Sequence, residues 1–442
     1  MAWEARGQSR GYGRPRPERV RSRAEVAAWE HRGVAEPIPI AEARRRVLEA
    51  IRPLDAEDVA LTGALGRVLA EDVVSDVAVP PFDGSAMDGF ALPPGAEGAL
   101  DVVGESRAGH PWTGLLEAGR AVRISTGAAV PDGTAAVVAV EHVTEGRGVV
   151  EVPAMPDGTN VRSRGEDVAP GDLVLPRGAE LSPPALGVLA SVGRSTARCA
   201  RRPVVAILAT GDELTEPGEE LAPGAIWSSN PLTLAGQVAR AGGVVERTQT
   251  VADDAEASRA AIGNALASAD VVCVSGGVSV GPHDHVKGAL RDLGVDESFW
   301  GVALRPGKPT WFGTLDDGDR RVLAFGLPGN PVSAMVTFRL FAMPAIRALQ
   351  GADPGAARAE AVLDEPVARH PRRDQAVRCR LTAAADGLHA CPTGRQESHM
   401  LTSMLAADGL ALITLGEGEA PAGERVEVEL LGGVPSGLSS RP

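Results

Sequence analysis

Between residues 201 and 350 the chain alternates apolar, strand-like runs with helical stretches, and three glycine-rich loops sit at the ends of those runs. The strand-like runs cover residues 204–209, 244–251, 271–274, 299–303 and 322–325; the helical ones cover 232–240, 255–267, 285–293 and 332–349. This alternation predicts a doubly wound parallel α/β sheet. Ligands of such sheets collect at the carboxyl ends of the strands, and the loops fall there: Ser275-Gly276-Gly277-Val278-Ser279-Val280-Gly281, Arg305-Pro306-Gly307-Lys308-Pro309 and Gly326-Leu327-Pro328-Gly329-Asn330-Pro331. Glycine lets backbone N–H groups approach a phosphate or oxyanion closely. Lys287 and Lys308, the only lysines among 44 cationic residues, both lie in this region.

At 442 residues the chain exceeds one core, and an apolar content of 44% supports several well-filled ones. A single tyrosine, six tryptophans and seven phenylalanines leave few stacking platforms, and a net charge of −14 repels polyanions. Both argue against nucleic-acid binding, so an anionic substrate must be captured by local features. Cys199, Cys273, Cys379 and Cys391 form no C-x-x-C pair or zinc template and read as reduced, mostly buried thiols. No run approaches the ~20 apolar residues of a spanning helix, so the expectation is a cytoplasmic protein without membrane contact.

Residues 1–35 carry seven arginines from Arg6 to Arg23 among Gly, Pro and Ser, the composition of a disordered, Arg-rich tail. Residues 36–75 read as a helix over 39–51 followed by a turn and a second short helical piece over 55–69, and together with 166–200 they form an extended, helical linker domain. Residues 76–165 alternate short Val-rich runs (100–103, 121–124, 136–140, 148–152) with Gly, Pro and Asp turns and predict a small β domain. Residues 201–350 form the α/β domain. Residues 355–433 return to short strands and predict a C-terminal β-barrel. The fold class is therefore multidomain α/β plus β.

Thr210-Gly211-Asp212-Glu213-Leu214 puts two carboxylates beyond the first α/β strand, where Asp212 could equally cap a turn and Glu213 face water. Asp253 and Asp284 lie beyond other strands of the same sheet, and hard carboxylate oxygens beside phosphate-cradling loops suit Mg²⁺ with a phosphate ester. Pro331 falls at the first turn of a helix, where its missing N–H is harmless and the free N–H groups make an anion seat. Arg305 and Lys308 bracket a tight Pro-Gly turn and could converge on one oxyanion, with Ser279 and Ser333 as hydroxyl donors. His283, His285 and His399 have no metal-ligand spacing. A second group, Pro81-Phe82-Asp83-Gly84-Ser85-Ala86-Met87-Asp88-Gly89-Phe90-Ala91, Ser125-Thr126-Gly127-Ala128 and Arg162-Ser163-Arg164-Gly165-Glu166-Asp167, fits β-turns as well as a site.

These strings, in this order from about residue 38 to 431, together resemble the molybdopterin molybdenumtransferase (MoeA) family, relatives of the C-terminal part of gephyrin. The resemblance implies a cytoplasmic homodimer of elongated four-domain subunits that inserts molybdate, its substrate, into adenylylated molybdopterin with Mg²⁺ and releases AMP. By the same resemblance Asp83 and Thr126 of one subunit face the cleft, with Arg162 and Asp167 near the same edge. Glu213, Asp253, Ser279 and Asp284 resemble the acidic and hydroxyl groups of the pterin and Mg²⁺ site; the expected catalytic set is Asp83, Glu213, Asp253 and Asp284, with Asp212 as a substrate contact and Asp212, Glu213 and Asp284 as the expected metal ligands. Arg305, Lys308, Ser333, Arg378 and Ser398 resemble the molybdate-binding set, and Pro328 and Pro331 the rigid turn beneath the ligand.

The chain departs from the family pattern at Ala135, which replaces a carboxylate, at Gly301 and Arg305, where lysine is common, and at Ser228, where an acidic residue is frequent. Arg305 keeps its charge and binds oxyanions bidentately. The alternatives left open are molybdopterin adenylylation by the same α/β fold and a dimeric scaffold that has lost the chemistry.

Overall fold

The structure, a computed structural model, describes residues 36–278, 285–355 and 358–432. Ser279, His283, Asp284 and the arginine-rich residues 1–35 lie outside the described residues.

In the α/β domain, with elements numbered from its first strand, the order is β1 (Val204–Thr210), α1 (Asn230–Arg240), β2 (Val244–Val251), α2 (Ala255–Ser268), β3 (Val271–Ser275), α3 (Val286–Asp292), β4 (Asp296–Trp300), β5 (Trp311–Asp317), β6 (Arg320–Leu327) and α4 (Pro331–Leu349). The sheet order is β2-β1-β3-β6-β5-β4. It is parallel from β2 to β6, as the alternation predicts. The far edge is antiparallel, because β5 and β6 are a hairpin turned by Gly318-Asp319 and β4 pairs antiparallel with β5. The sequence reading has no strand at β5, although Asp317-Gly318 between two apolar runs is a hairpin signal.

Continuous apolar strands follow from burial on both faces. Val205 and Ile207 of β1 join a core with α1 and α4, whereas Ala206 and Leu208 join a core with α2 and α3. Pro331 opens α4 at its first turn, and Asp254 caps α2 by accepting from the Ala257 N–H at 2.8 Å. α4 carries a π turn over Phe338–Ala342. This 19-residue helix has the length and composition of a membrane span, which the sequence reading does not anticipate; 83% of its apolar window is buried in the protein, so its apolar surface is covered by the α/β core.

The barrel strands are β7 (Arg358–Leu363), β8 (Asp374–Ala384), β9 (Gly387–Pro392), β10 (Gly409–Ile413) and β11 (Arg425–Leu430). They close in the order β8-β9-β7-β11-β10 and back to β8. A two-residue strand of the α/β domain, Leu304–Arg305, pairs in parallel with the start of β8.

Upstream, a six-stranded sheet (Ala136–Ala139, Gly89–Leu92, Arg120–Ile124, Gly98–Ser106, Val149–Val152, Thr144–Gly146) forms the small β domain. Helix Ile40–Glu49 packs its Ile40, Ala43 and Val47 onto the α/β core. Beyond it the expected second helix is a strand, Ala56–Ala60, followed by a single 3-10 turn at Leu61–Gly63. The strand forms because Thr196–Ala200 supplies a full antiparallel partner, a long-range pairing that local periodicity does not register. Helix Pro183–Ser191 is capped by Ser182 and packs in the same linker core as Leu69 and Cys199. Cys199, Cys273 and Cys379 are buried thiols, and burial pushes Cys273 and Cys379 up to about 12.

Candidate functional site

β1, β3 and β6 are adjacent, so their carboxyl ends form one ledge. Gly276 N donates to Leu327 O at 3.0 Å, and Ser275 Oγ donates to Pro328 O at 3.1 Å, joining the first and third glycine loops. Asn230, the first residue of α1, fastens them further: its Nδ2 donates to Ser275 Oγ at 2.8 Å and Gly329 O at 2.7 Å. Asn230 is an organising residue that the motif reading passes over, and its signal is its place at a helix start after an irregular Ser-rich turn. Pro328 is buried beneath the ledge and Pro331 half-buried.

At the ends of β1 and β2 the structure brings Asp212 and Asp253 together, Asp212 Oδ1 accepting from the Asp253 N–H at 2.9 Å. Asp212, Glu213 and Asp253 are all exposed. Among the described residues no three Asp, Glu, His or Cys side chains stand close enough to hold a metal ion. Mg²⁺ keeps several waters and takes only one or two carboxylates with substrate phosphates, and Asp212 and Glu213 are exposed carboxylates just beyond β1.

The second glycine loop meets α4 from the side. Gly307 has φ +123°, and a Cβ there would lie 2.5 Å from Thr337 Cγ2 and 2.9 Å from Leu304 Cδ2, so glycine is what lets the loop touch the helix. The loop leaves Lys308 exposed, while Ser333 is buried in the first turn of α4. Lys287, the other lysine, lies over the Trp300 ring at 4.6 Å. From the barrel, Ser398 O accepts from the Val332 N–H at 3.1 Å. Arg378 on β8 is fully buried and donates through Nη2 to Arg395 O at 3.1 Å and Glu397 O at 3.4 Å. Its Nε and Nη1 have no partner. Burial pulls this guanidinium down, against the pull of Glu397. One hydrogen bond, from the Val332 N–H to Ser398 O, thus ties the start of α4 to the barrel segment that also holds Arg378, while Lys308 stands exposed on the loop that touches α4.

Arg305 pairs with Gln375 at the barrel edge. His370 is held below the ordinary histidine value by burial and then by Arg373, Arg305 and Arg372, so Arg305 belongs to a cationic group that includes two arginines the motif reading misses. Gly301 has φ +87°, a conformation in which a lysine side chain would be strained, so glycine there matches the local backbone.

The N-terminal group assembles by itself. Gly84–Ser85 pairs with Val161–Arg162, Asp83 Oδ1 accepts from the Arg164 N–H at 2.7 Å, and the Thr126 N–H donates to Asp88 Oδ1 at 2.9 Å. Asp83, Thr126, Arg162 and Asp167 are exposed on this module. Among the described residues no hydrogen bond or ion pair links them to the ledge of the α/β domain.

A doubly wound sheet with an anion-receptive ledge, completed by a barrel that contributes a buried arginine, defines a binding protein for a phosphorylated or oxyanionic ligand. Three family matches cover the chain: MoeA N-terminal region (domain I and II) over residues 38–193, probable molybdopterin binding domain over 206–348, and MoeA C-terminal region (domain IV) over 360–431. The chain is 41% identical over 317 residues to a molybdopterin molybdenumtransferase of Haemophilus influenzae, covering 70% of this chain and 77% of that protein. It is 34% identical to one of Bacillus subtilis, covering 89% and 94%. The crystal structure of a molybdopterin biosynthesis MoeA protein from Pyrococcus horikosii superposes with a TM-score of 0.76 at 31% identity, over 90% of this chain and all of that one. The chain belongs to the MoeA family.

Proposed function

We propose that the protein is a molybdopterin molybdenumtransferase, which inserts molybdenum into molybdopterin during molybdenum cofactor biosynthesis. The observation that carries this reading is the fully buried Arg378, with two unpartnered N–H-bearing nitrogens, next to the segment through which Ser398 holds the start of α4. A buried cation with unpartnered donors is a seat for an anion. Lys308 and Arg305 add positive charge at the approach, and Ser333 and Ser398 add hydroxyl donors, a set that suits tetrahedral molybdate as substrate.

The finer mechanism belongs to the same reading. The substrate is adenylylated molybdopterin lying across the ledge of β1, β3 and β6. Asp212 and Glu213, with Asp284, would hold Mg²⁺, which neutralises phosphate charge when bound. Asp253 is fixed beside Asp212 and keeps that loop in place, while Ser279 would donate to the ligand. Arg378 and Lys308 hold molybdate against the dithiolene; as the two sulfurs take the metal, one oxide leaves as water with the two thiol protons. Hydrolysis of the phosphoanhydride then releases AMP. Asp83, Thr126, Arg162 and Asp167 are supplied by the second copy of a homodimer, a reading supported by their separation from the ledge within one chain. The protein works in the cytoplasm. Purified protein given adenylylated molybdopterin and Mg²⁺ should release AMP when molybdate is added; release that ignores molybdate, or none with substrate bound, overturns the proposal.

A further inference from the structure

Opposed residues on neighbouring strands point to one face of a sheet. Arg378 of β8 is opposed to Leu410 of β10, and Leu410 to Glu429 of β11, so these three residues form one row across the barrel. The row is on the outer face. Leu410 belongs to the core shared with the α/β domain, whereas the flanking Val377, Cys379, Ala411 and Val428 fill the barrel interior. One buried apolar residue is thus flanked by two buried charged ones, with Arg378 and Glu429 two strand spacings, about 10 Å, apart.

Glu429 is 4% exposed and is held by three arginines from three elements. Arg44 of helix Ile40–Glu49 donates to its Oε1, Arg358 of β7 donates to the same oxygen at 2.9 Å, and Arg339 of α4 lies 3.7 Å from Oε2. Arg339 sits in the π turn of α4. Such a turn shifts the helical phase at a single place and recurs at functional positions. Ser333 lies in the first turn of the same helix, so α4 touches the barrel in two places: at its start through Val332 and Ser398, beside the Glu397 carbonyl that Arg378 bonds, and in its π turn through Arg339 and Glu429.

The geometry points to Glu429 as a positioning residue for the oxyanion seat. By clamping the N-terminal helix, α4 and β7 together, it fixes the row at one end and so sets where Arg378 stands relative to Ser333 and Lys308. This inference rests on the proposed molybdate site but assigns a role to a group that does not touch the ligand. Glu429→Gln keeps the shape and removes the charge that three arginines share.

The test is titration of the wild type and of Glu429→Gln with molybdate and, separately, with AMP, with Val428→Ala as a control that loosens the barrel interior while leaving the clamp intact. The expected result is a molybdate Kd weakened about tenfold or more in Glu429→Gln, since misplacement by a fraction of an ångström to an ångström suffices, with AMP affinity unchanged and molybdate affinity retained in Val428→Ala. Equal weakening in Val428→Ala, or a folded Glu429→Gln that binds molybdate as the wild type does, overturns the inference. Should Glu429→Gln not fold, Arg358→Gln decides: it removes the most exposed arm and should still weaken molybdate binding severalfold, and unchanged binding overturns the idea. A wild-type protein that binds no molybdate overturns the functional reading beneath it.

Discussion

Replacing Arg378 by methionine should make the ligand-free protein more stable while abolishing capture of the oxyanion. The side chain is fully buried with Nε and Nη1 unpartnered, and its remaining bonds run to two backbone carbonyls at 3.1 and 3.4 Å. An unmet buried donor costs about 1–3 kcal/mol, so two cost roughly 4 kcal/mol; the two carbonyl bonds, one of them long, return about 2 kcal/mol together. Arg395 and Glu397 are themselves exposed, so their carbonyls can be rehydrated once the guanidinium has gone. Methionine fills much of the same volume and adapts to an irregular site. The difference, about 2 kcal/mol in favour of the variant, corresponds to an upward shift of roughly 4–8 °C for a unit of 150–250 residues, as when the barrel melts together with the α/β domain. Calorimetry of both ligand-free proteins measures it. Molybdate at about a hundred times its Kd should then stabilise the wild type by about 2.7 kcal/mol and leave the variant unmoved. A ligand-free variant that melts below the wild type, or a variant still stabilised by molybdate, would refute the view that Arg378 is held in readiness for an anion.

Gly307→Ala should lose about 1–3 kcal/mol and most activity, because φ +123° and the 2.5 Å approach to Thr337 force the loop off α4; a denaturant midpoint equal to wild type would contradict this. Asn230→Ala removes two hydrogen bonds that join the glycine loops and should cost about 1–3 kcal/mol together. Hydrogen exchange should then rise at Gly276, whose N–H bonds Leu327 O, and unchanged protection would count against the ledge. His389, hydrogen-bonded to Asp364 and Asp386, is held above its ordinary value of 6.5 chiefly by Asp364. A raised folded value means its stabilisation is fully present below pH 6.5 and lost as pH rises through the folded value. His389→Gln should therefore be less stable than wild type at pH 6 and match it at pH 9, as thermal melts at the two pH values will register.

The parallel sheet was legible because β1, β3 and β6 are uninterrupted apolar runs between helices, and the ledge because glycine loops follow them. β5 is hard to read from sequence because Trp311–Asp317 begins apolar and ends in two aspartates, so only its hairpin turn marks it. The strand Ala56–Ala60 was hidden for a different reason: its partner lies about 140 residues away, and nothing in its own five residues demands extension. Among site residues, those in short motifs announced themselves, whereas Arg372 and Arg373 stand out only once β8 is seen beside Arg305. Glu429 lies in an ordinary alternating strand, and its three arginines come from positions between 71 and 385 residues distant, a convergence no spacing rule encodes.

The small strand Leu304–Arg305, which leaves one folding unit to pair with the next, has a consequence for how the gene can be cut. A fragment holding the barrel alone would expose the rim of β8 where that strand belongs, and a fragment ending before the barrel would leave the strand unpaired. Open rims of this kind invite association with other chains. The two fragments expressed together carry each other's missing piece, so they should reassemble where either one alone aggregates, and the loop bearing Lys308 would take its final shape only on reunion.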